Sequence, residues 1–522
     1  MGHDGWGVAL RLVSVIAIAS APDGRARAQD NGLSTEQSAT STTEHNGEPD
    51  RDTEDGETED LQAGGELGYA NLDQTNYVAP TLSADARLHF LQAAIRIPIR
   101  FSLVSGDVRK KDWDEVGDFF RVGQCIRLDW SEHGRFEREH GLCRPWQVER
   151  DDYYLTLRIG PQNDINVGHG TIVNSYSNNL NPDHFHPGVV AEWQFHQFVV
   201  GRFVMDNLVA PSLLAGTVAV RPFAYETEQT EEAYESQHQF QLNATLVSDL
   251  RAPMLVRTAF GRALSDEAAN LLYTTHPVTV IGGDFQYKYV FGTQVSIEAH
   301  ADWNYITDHG MGLHGQLWFV YNHPDGDYSV RGEGEFRYIA QDYIPNYFDS
   351  YYAIQRAQFG LTPETAGEVS ADGTFLTKQQ VLDALPGGNW QGGYQLGLTF
   401  EAFAGEGDDR RSALRARFYL GDTLGRSNDG QFVLTLQVPR LAKKIDIYAL
   451  YSRQNFDRLV DIFQLDNTVI KVLVRWDLND QFYLLMNYGR LFQLSVDPTG
   501  SAAAGFQSGN DFNISLGFAE GL

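Results

Sequence analysis

The sequence predicts an all-β fold, a transmembrane antiparallel up-and-down β-barrel of about 18–20 strands. Three observations predict it. Apolar and polar residues alternate with a period of two through most of the chain after residue 82, which is typical of strands with one apolar face. The turns between several of these runs are very short. Apart from one short N-terminal run, no segment approaches the roughly 20 apolar residues that a spanning helix needs.

The clearest alternation lies between Val280 and Tyr321. In its middle, Ile297 and Trp303 fall on one face of an extended chain, whereas Glu298 and Asp302 fall on the other. Similar runs precede and follow it after only a few turn residues. Strands of this kind, joined by tight turns, are what a membrane-spanning barrel requires, because the apolar face contacts lipid and the polar face lines an enclosed lumen.

Residues 1–28 are predicted to be a secretory signal peptide. A basic residue precedes a short apolar run, residues 12–19, and the sequence Ala-Arg-Ala at 26–28 fits a small-x-small cleavage site, so we expect cleavage near Ala28. The apolar run is too short to serve as a membrane anchor. An exported chain without spanning helices is either soluble or embedded in the membrane as a closed barrel.

Residues 29–66 differ from the rest of the chain in composition. They are rich in Asp, Glu, Ser, Thr and Gly, and Arg51 carries the one opposing charge. Such a segment cannot bury enough apolar surface to offset its chain entropy. We therefore expect a disordered acidic N-terminal tail, which is either a solvated tether or a weak binding segment for a divalent cation or a partner. The barrel would then occupy residues 67–522.

Two long loops are predicted, at about 161–187 and 340–393. A tight turn precedes the strand before the second loop, another follows the strand after it, and both lie on the same side of the barrel. The second loop must therefore contain an even number of spanning strands. Zero is the simplest number, and a hairpin of two strands is the alternative. Its aromatic part, Tyr343–Tyr352, is too apolar to lie in water, so we expect it to fold inward against the lumen. Elsewhere we assign a barrel strand to Met254–Arg262, after a turn at Ser248–Ala252 on the side of the other tight turns.

The end of the chain carries a family resemblance. Phe512, Ile514 and Phe518 alternate with polar or small residues, which resembles the C-terminal signal of Gram-negative outer-membrane proteins. The region from about Leu82 to Phe518 is similar in architecture to the porin-like β-barrels of that membrane. The resemblance implies a location in the bacterial outer membrane, contact with its lipids and insertion by the barrel-insertion machinery.

Charged residues at inward-facing positions are the candidate site. Rings of charged side chains are how pores select solutes by charge. Alternatively, these groups neutralise one another and only fill the lumen. The predicted pore-lining residues are Arg87, Arg96, Arg100, Arg121, Arg127, Glu298, Asp302, Arg331, Glu333, Glu335, Arg337, Arg415, Arg417 and Arg475.

The cysteines and histidines suggest two further features. Cys125 and Cys143 are the chain's two cysteines, and an exported chain meets an oxidising compartment, so we expect a disulfide between them. The alternative is two buried thiols. His169, Asp183, His184 and His186 form the one cluster with metal-ligand chemistry, although loop histidines more often hydrogen-bond locally. We expect no cofactor.

Net charge and motifs limit the classes of function that the chain can have. A formal net charge of −29 opposes nonspecific binding to nucleic acid. Together with the resemblance, the charged lumen favours a channel through which small polar or anionic solutes diffuse. The alternatives are a dedicated conduit for an acidic polysaccharide or another specific ligand, and a barrel-embedded enzyme or surface scaffold. No catalytic motif stands out, so we expect no enzymatic activity, and a homo-oligomer is compatible with the sequence.

Overall fold

The computed structural model describes most of the chain from residue 60 onward. The described residues are 60–72, 75–88, 91–108, 123–131, 153–160, 162, 165–178, 186–195, 198–222, 238–259, 262–263, 272–291, 294–324, 326–359, 376–404, 411–426, 429–441, 444–465, 468–479, 481–495 and 505–521. The predicted signal peptide and most of the predicted acidic tail therefore lie outside the described residues.

The described chain is dominated by β-structure. Its strands are β1 (Asp60–Leu72), β2 (Thr75–Leu88), β3 (Leu91–Pro98), β4 (Phe101–Ser102), β5 (Gly123–Ser131), β6 (Tyr153–Gly160), β7 (Ile165–Val167), β8 (Val173–Tyr176), β9 (Gly188–Phe195), β10 (Val199–Met205), β11 (Leu213–Val220), β12 (His238–Asp249), β13 (Pro253–Val256), β14 (Thr258–Ala259), β15 (Arg262–Ala263), β16 (Tyr273–Thr275), β17 (Val278–Phe291), β18 (Val295–Ile306), β19 (Met311–Asn322), β20 (Tyr328–Ala340), β21 (Phe348–Asp349), β22 (Trp390–Ala404), β23 (Arg411–Thr423), β24 (Gly430–Leu441), β25 (Ile445–Phe456), β26 (Thr468–Asp477), β27 (Phe482–Ser495) and β28 (Gly505–Gly521). Two short helices, α1 (Tyr352–Gln355) and α2 (Lys378–Ala384), and a 3-10 helix at Leu459–Phe463 complete the elements.

The large sheet closes on itself. Neighbouring strands in it pair antiparallel, and β1 pairs with β2 along one edge and with β28 along the other. Among the described residues, the sheet comprises 21 strands. Because β3 and β4 both pair with β2 as successive parts of one strand, twenty strands surround the lumen. The predicted fold class, an antiparallel up-and-down barrel of about 18–20 strands, is confirmed.

The two faces of the barrel wall differ as the alternation predicts. On β18, Asp302 is buried and faces the lumen, whereas Trp303 is 42% exposed on the outer surface. On β19, His314 faces inward, and Leu313 and Leu317 face outward. The outer surface is therefore apolar. None of the helices in the described part of the chain is long and apolar enough to cross a membrane.

Two loops fold into the lumen from the same end of the barrel. The first carries β7 and β8, and the second carries β21, which pairs parallel with β8. We call residues 165–178, 341–359 and 376–385 the plug. Its α2 begins at the capping residue Thr377, whose hydroxyl accepts a hydrogen bond from the backbone N–H of Gln380.

The aromatic part of the plug is buried, as predicted. Tyr343, Tyr347, Phe348 and Tyr352 are each at most 2% exposed. They form one apolar cluster with Ile165, Ile172 and Val173 of the first loop and with inward-facing wall residues such as Val280, Ile306 and Ile339. The core of the molecule is therefore the packing of the plug against the upper wall. In the described parts of 341–389 no strand spans the barrel, in agreement with the simplest prediction for this loop.

One strand and one turn assigned from the sequence are wrong. Residues Met254–Arg262 do not form a barrel strand, because β12 pairs directly with β17 and β13 pairs with β16 in a separate small sheet. The turn at Ser248–Ala252 consequently lies at the plug end, opposite the tight turns. The run is short, so its alternation did not distinguish an excursion at the barrel mouth from a spanning strand.

The barrel also begins earlier than predicted. Asp60–Glu66, which we placed in the acidic tail, form the first half of β1. Glu66 is buried on the lumen side and accepts a 2.7 Å hydrogen bond from the Tyr483 hydroxyl. An acidic composition does not exclude a barrel strand, since its inward face is polar.

Candidate functional site

The tip of the first plug loop is a Gly-His-Gly turn. Gly168 and Gly170 have φ values of 65° and 81°, a left-handed conformation that glycine adopts without a steric penalty. The turn carries His169 deep into the lumen, where it is 6% exposed. The side chain there faces β17 and β18 of the wall.

Two carboxylates meet one nitrogen of His169. Its Nδ1 lies 3.2 Å from Oδ1 of Asp284 and 3.3 Å from Oδ1 of Asp302. Its Nε2 lies 3.3 Å from Oε1 of Gln286. Burial by itself would lower the pKa of His169, but the hydrogen bond to Asp302 and the charges of both carboxylates raise it to about 9. In the absence of another cation, the ring is therefore protonated at neutral pH.

More polar groups surround this contact. The ring of His300 is 3.9 Å from that of His169, centroid to centroid, and Nε2 of His300 is 3.5 Å from Oε1 of Glu298. Gln286 donates a hydrogen bond to Glu298. Among the described residues, neither nitrogen of His300 has a hydrogen-bond partner, and neither does Oδ2 of Asp302. The β17–β18 wall is thus acidic and incompletely satisfied.

A basic wall lies farther round the barrel. Arg331, Arg415 and Arg417 face the lumen from β20 and β23, and Glu333 lies 3.9 Å from Arg331 and 3.9 Å from Arg417. The Arg331 guanidinium also lies 4.1 Å above the Trp318 ring. These residues border a cavity of about 50 Å³ beneath the plug, which His169, Asn174, Gln316, Gln395 and Thr399 also line.

A buried network that includes an ion pair joins the wall to the second plug loop. Arg337 Nε donates a 2.5 Å hydrogen bond to Oε1 of Glu335, and Nδ1 of His314 lies 2.8 Å from the same oxygen. The other nitrogen of His314 is 3.2 Å from the hydroxyl of Tyr343 in the plug. This network fixes the orientation of a plug aromatic residue with respect to β19 and β20.

Further polar contacts hold the top of the plug. Arg356 lies 3.3 Å from the wall carboxylate Asp249. Within the plug, Lys378 Nζ is 3.3 Å from Oδ2 of Asp349 and 5.1 Å from the centre of the Tyr347 ring. Burial raises the pKa of Asp349 and lowers that of Lys378, while the opposite charge of each partner counteracts the shift.

The structure places most of the predicted pore-lining residues that it describes in the lumen. Arg100 is buried, and Arg475 donates to Asp477 at 2.7 Å on a distant part of the wall. Glu298, Asp302, Arg331, Glu333, Glu335, Arg337, Arg415 and Arg417 lie near the plug or the cavity. Lying outside the residues or side chains that the structure describes are Arg87, Arg96, Arg121, Arg127 and both cysteines of the predicted disulfide, Cys125 and Cys143.

The predicted metal cluster does not assemble as expected. His169 meets Asp284 and Asp302, whereas Nδ1 of His186 lies 3.1 Å from the Asn207 amide instead. Asp183 and His184 lie outside the described residues. Asp284 was not among the predicted site residues, although it shares the inward-facing parity of Gln286, a pattern that could have identified it.

The chain has distant likenesses among solved structures. No family model matches the sequence, and no curated protein matches it. Among solved structures, a mutant of the ferric enterobactin receptor from Pseudomonas aeruginosa, in complex with enterobactin, has a TM-score of 0.34 at 9% identity, over 88% of this chain and 81% of that one. The siderophore receptor PirA from the same organism has a TM-score of 0.36 at 10% identity, over 89% and 81%. The FrpB iron transporter from Neisseria meningitidis (F5-1 variant) has a TM-score of 0.34 at 9% identity, over 88% and 82%. Likenesses this distant do not indicate a shared ligand or mechanism.

Proposed function

We propose that the chain is a selective outer-membrane conduit for a small anionic solute, and that its own plug gates it. The membrane location is supported by the closed barrel and its apolar exterior. Closure leaves no unpaired sheet edge, and outward side chains such as Leu317, Phe319 and Trp303 are suited to lipid rather than water.

The position of the plug is the main evidence for the proposed gating. An open porin has a continuous aqueous channel, but here the plug packs in one apolar cluster with the upper wall. The cavity beneath it is about 50 Å³, which is room for roughly three to five water molecules at about 10–15 Å³ each. We therefore expect passage of a solute to require movement of the plug, and this favours a regulated conduit over passive diffusion.

The basic wall supports anion selection. Arg331, Arg415 and Arg417 face the same cavity, where three arginines outnumber the one lining carboxylate, Glu333. Guanidinium groups bind carboxylate and phosphate oxygens in a bidentate manner. An anion that reaches the cavity would find several such donors together on its basic side.

Planar-bilayer recordings test the proposal. We expect the full mature protein to be closed most of the time, and a variant with residues 341–359 replaced by a Gly-Ser linker to show steady ohmic steps. In that open background, the reversal potential in a KCl gradient should indicate anion preference. Arg331→Gln, Arg415→Gln and Arg417→Gln together should abolish the preference.

The matched control is Arg475→Gln in the same open background. This arginine also faces the lumen, but it does not line the cavity and donates to Asp477 on a distant part of the wall, so its loss should change the selectivity less. A wild-type conductance equal to that of the plug-replaced variant would contradict gating. Cation preference in the open variant would contradict the anionic solute.

A further inference from the structure

We infer that His169, Asp284 and Asp302 form a binding site for a divalent transition-metal ion, zinc in particular, and that the metal fastens the plug tip to the barrel wall. One imidazole nitrogen and two carboxylate oxygens are ligands that zinc accepts. Because an imidazole takes part, the set favours zinc over calcium, which binds oxygen ligands.

The spacing of the three ligand atoms fits a coordination polyhedron. Nδ1 of His169 is 3.2 Å from one carboxylate oxygen and 3.3 Å from the other, and all three atoms lie within 4.8 Å of one another. With metal–ligand bonds of about 2.0–2.1 Å, the edges of a tetrahedron are roughly 3.3–3.4 Å long. The two edges that meet at Nδ1 therefore match those of a tetrahedral site for an ion bound between the three atoms.

Polar groups without partners point to a ligand in the same place. Among the described residues, Oδ2 of Asp302 and both nitrogens of His300 are buried without a hydrogen bond. His300 is 4% exposed, and its ring is stacked edge-on against that of His169 at 3.9 Å. Buried polar groups are normally satisfied, so these atoms mark a position where an additional binding partner is expected.

The groups behind the ligands are arranged as in metal sites. A metal-binding histidine usually donates its second N–H to an oxygen, which fixes the ring orientation. Nε2 of His169 lies 3.3 Å from Oε1 of Gln286, and Asn243 donates to the Asp284 carboxylate. The nitrogen that faces the two carboxylates is therefore the one left for the metal.

The location gives the metal a role in gating. His169 belongs to the plug, whereas Asp284 and Asp302 belong to β17 and β18, so one ion would cross-link the mobile and the fixed parts of the conduit. This consequence for conductance rests on the proposed function. The binding of the metal does not, and the two are measured separately.

The test uses the full mature protein in detergent, freed of metal with a chelator. Titration calorimetry with Zn²⁺ should show one site per chain, and Co²⁺ should give the visible absorption of a tetrahedral centre. His169→Gln, Asp284→Asn and Asp302→Asn should each weaken Zn²⁺ binding by more than roughly 100-fold, since even residues behind metal ligands contribute 10–100-fold. His186→Gln, a change in a histidine that contacts Asn207 instead, should bind as the wild type does.

A loss of Zn²⁺ binding could also result from misfolding, so a variant that gains a spectroscopic signal is the second test. His169→Cys keeps a ligand and should add a sulfur-to-cobalt charge-transfer band. Absence of that band, or Zn²⁺ binding that survives all three ligand substitutions, would overturn the site. Zn²⁺ binding without any change in channel opening would leave the site intact and argue against gating.

Discussion

The hydroxyl of Tyr352, in the plug, donates a 2.6 Å hydrogen bond to Oδ2 of Asp249, at the end of β12 in the wall. Asp249 is completely buried and also contacts Arg356. One wall carboxylate therefore holds two residues of the plug at its upper end, far from the histidine contact at the tip.

Tyr352→Phe should loosen the plug. The substitution removes a hydrogen bond to a charged group, which contributes about 1.5–3 kcal/mol, while it keeps the aromatic packing. We expect more frequent channel openings in bilayer recordings. Tyr351→Phe is the matched control, because the Tyr351 hydroxyl donates to the Ser452 carbonyl at 3.3 Å, and it should have a smaller effect. Equal opening frequencies in the two variants would argue against the Asp249 anchor.

Lys378→Met should destabilise the plug strongly. It leaves Asp349 buried without its cation, and breaking a buried pair in this way costs about 3–5 kcal/mol. The double variant Lys378→Met with Asp349→Asn should recover much of that loss, since no unpaired charge remains. Rates of limited proteolysis within residues 341–385 provide the measurement. A double variant as sensitive as the single one would show that the pair is not coupled.

Gly168→Ala should displace the plug tip. Its φ of 65° costs an alanine about 1–2 kcal/mol, and the new Cβ would lie 3.3 Å from Oγ1 of Thr245. Gly106→Ala is the control, since φ is 72° there and nothing lies within 4 Å of the new Cβ. We expect Gly168→Ala to increase channel opening and to weaken Zn²⁺ binding. Gly106→Ala should leave both unchanged.

Leu317→Arg tests which face of β19 meets lipid. Leu317 lies near the middle of the strand and is 56% exposed. At a lipid-facing site an arginine costs about 2–4 kcal/mol near the midplane of the membrane. We expect a lower yield of folded barrel after refolding into lipid vesicles. Val104→Arg, in a turn at the barrel end, should refold as the wild type does, and equal yields would contradict the lipid assignment.

The barrel could be predicted from the sequence because its signal is local. Adjacent residues such as Asp302 and Trp303 face different environments. The alternation within each short run therefore shows which residues face the lumen and which face lipid. The same logic failed at Met254, where a short alternating run lies outside the barrel. At Glu66 the error had another source, because the acidic composition of the segment wrongly indicated a tail instead of a strand.

The plug could be predicted only in outline. The aromatic content of Tyr343–Tyr352 indicated burial, but not the groups that it would meet. The contact between His169 and Asp302 joins residues 133 positions apart, and it depends on how two loops pair inside a closed barrel. No spacing in the sequence encodes that arrangement, so the histidine was grouped with its neighbours along the chain, and Asp284 was overlooked.

The seam between β1 and β28 has a consequence for biogenesis. Glu66 of β1 pairs with Gly517 of β28 and accepts a hydrogen bond from Tyr483 of β27, 417 positions away. The barrel therefore cannot close until β28 is in place. Until then, the sheet has two unpaired edges, which can pair with other polypeptides. Truncation of β28 should therefore give an aggregating polypeptide rather than a smaller pore.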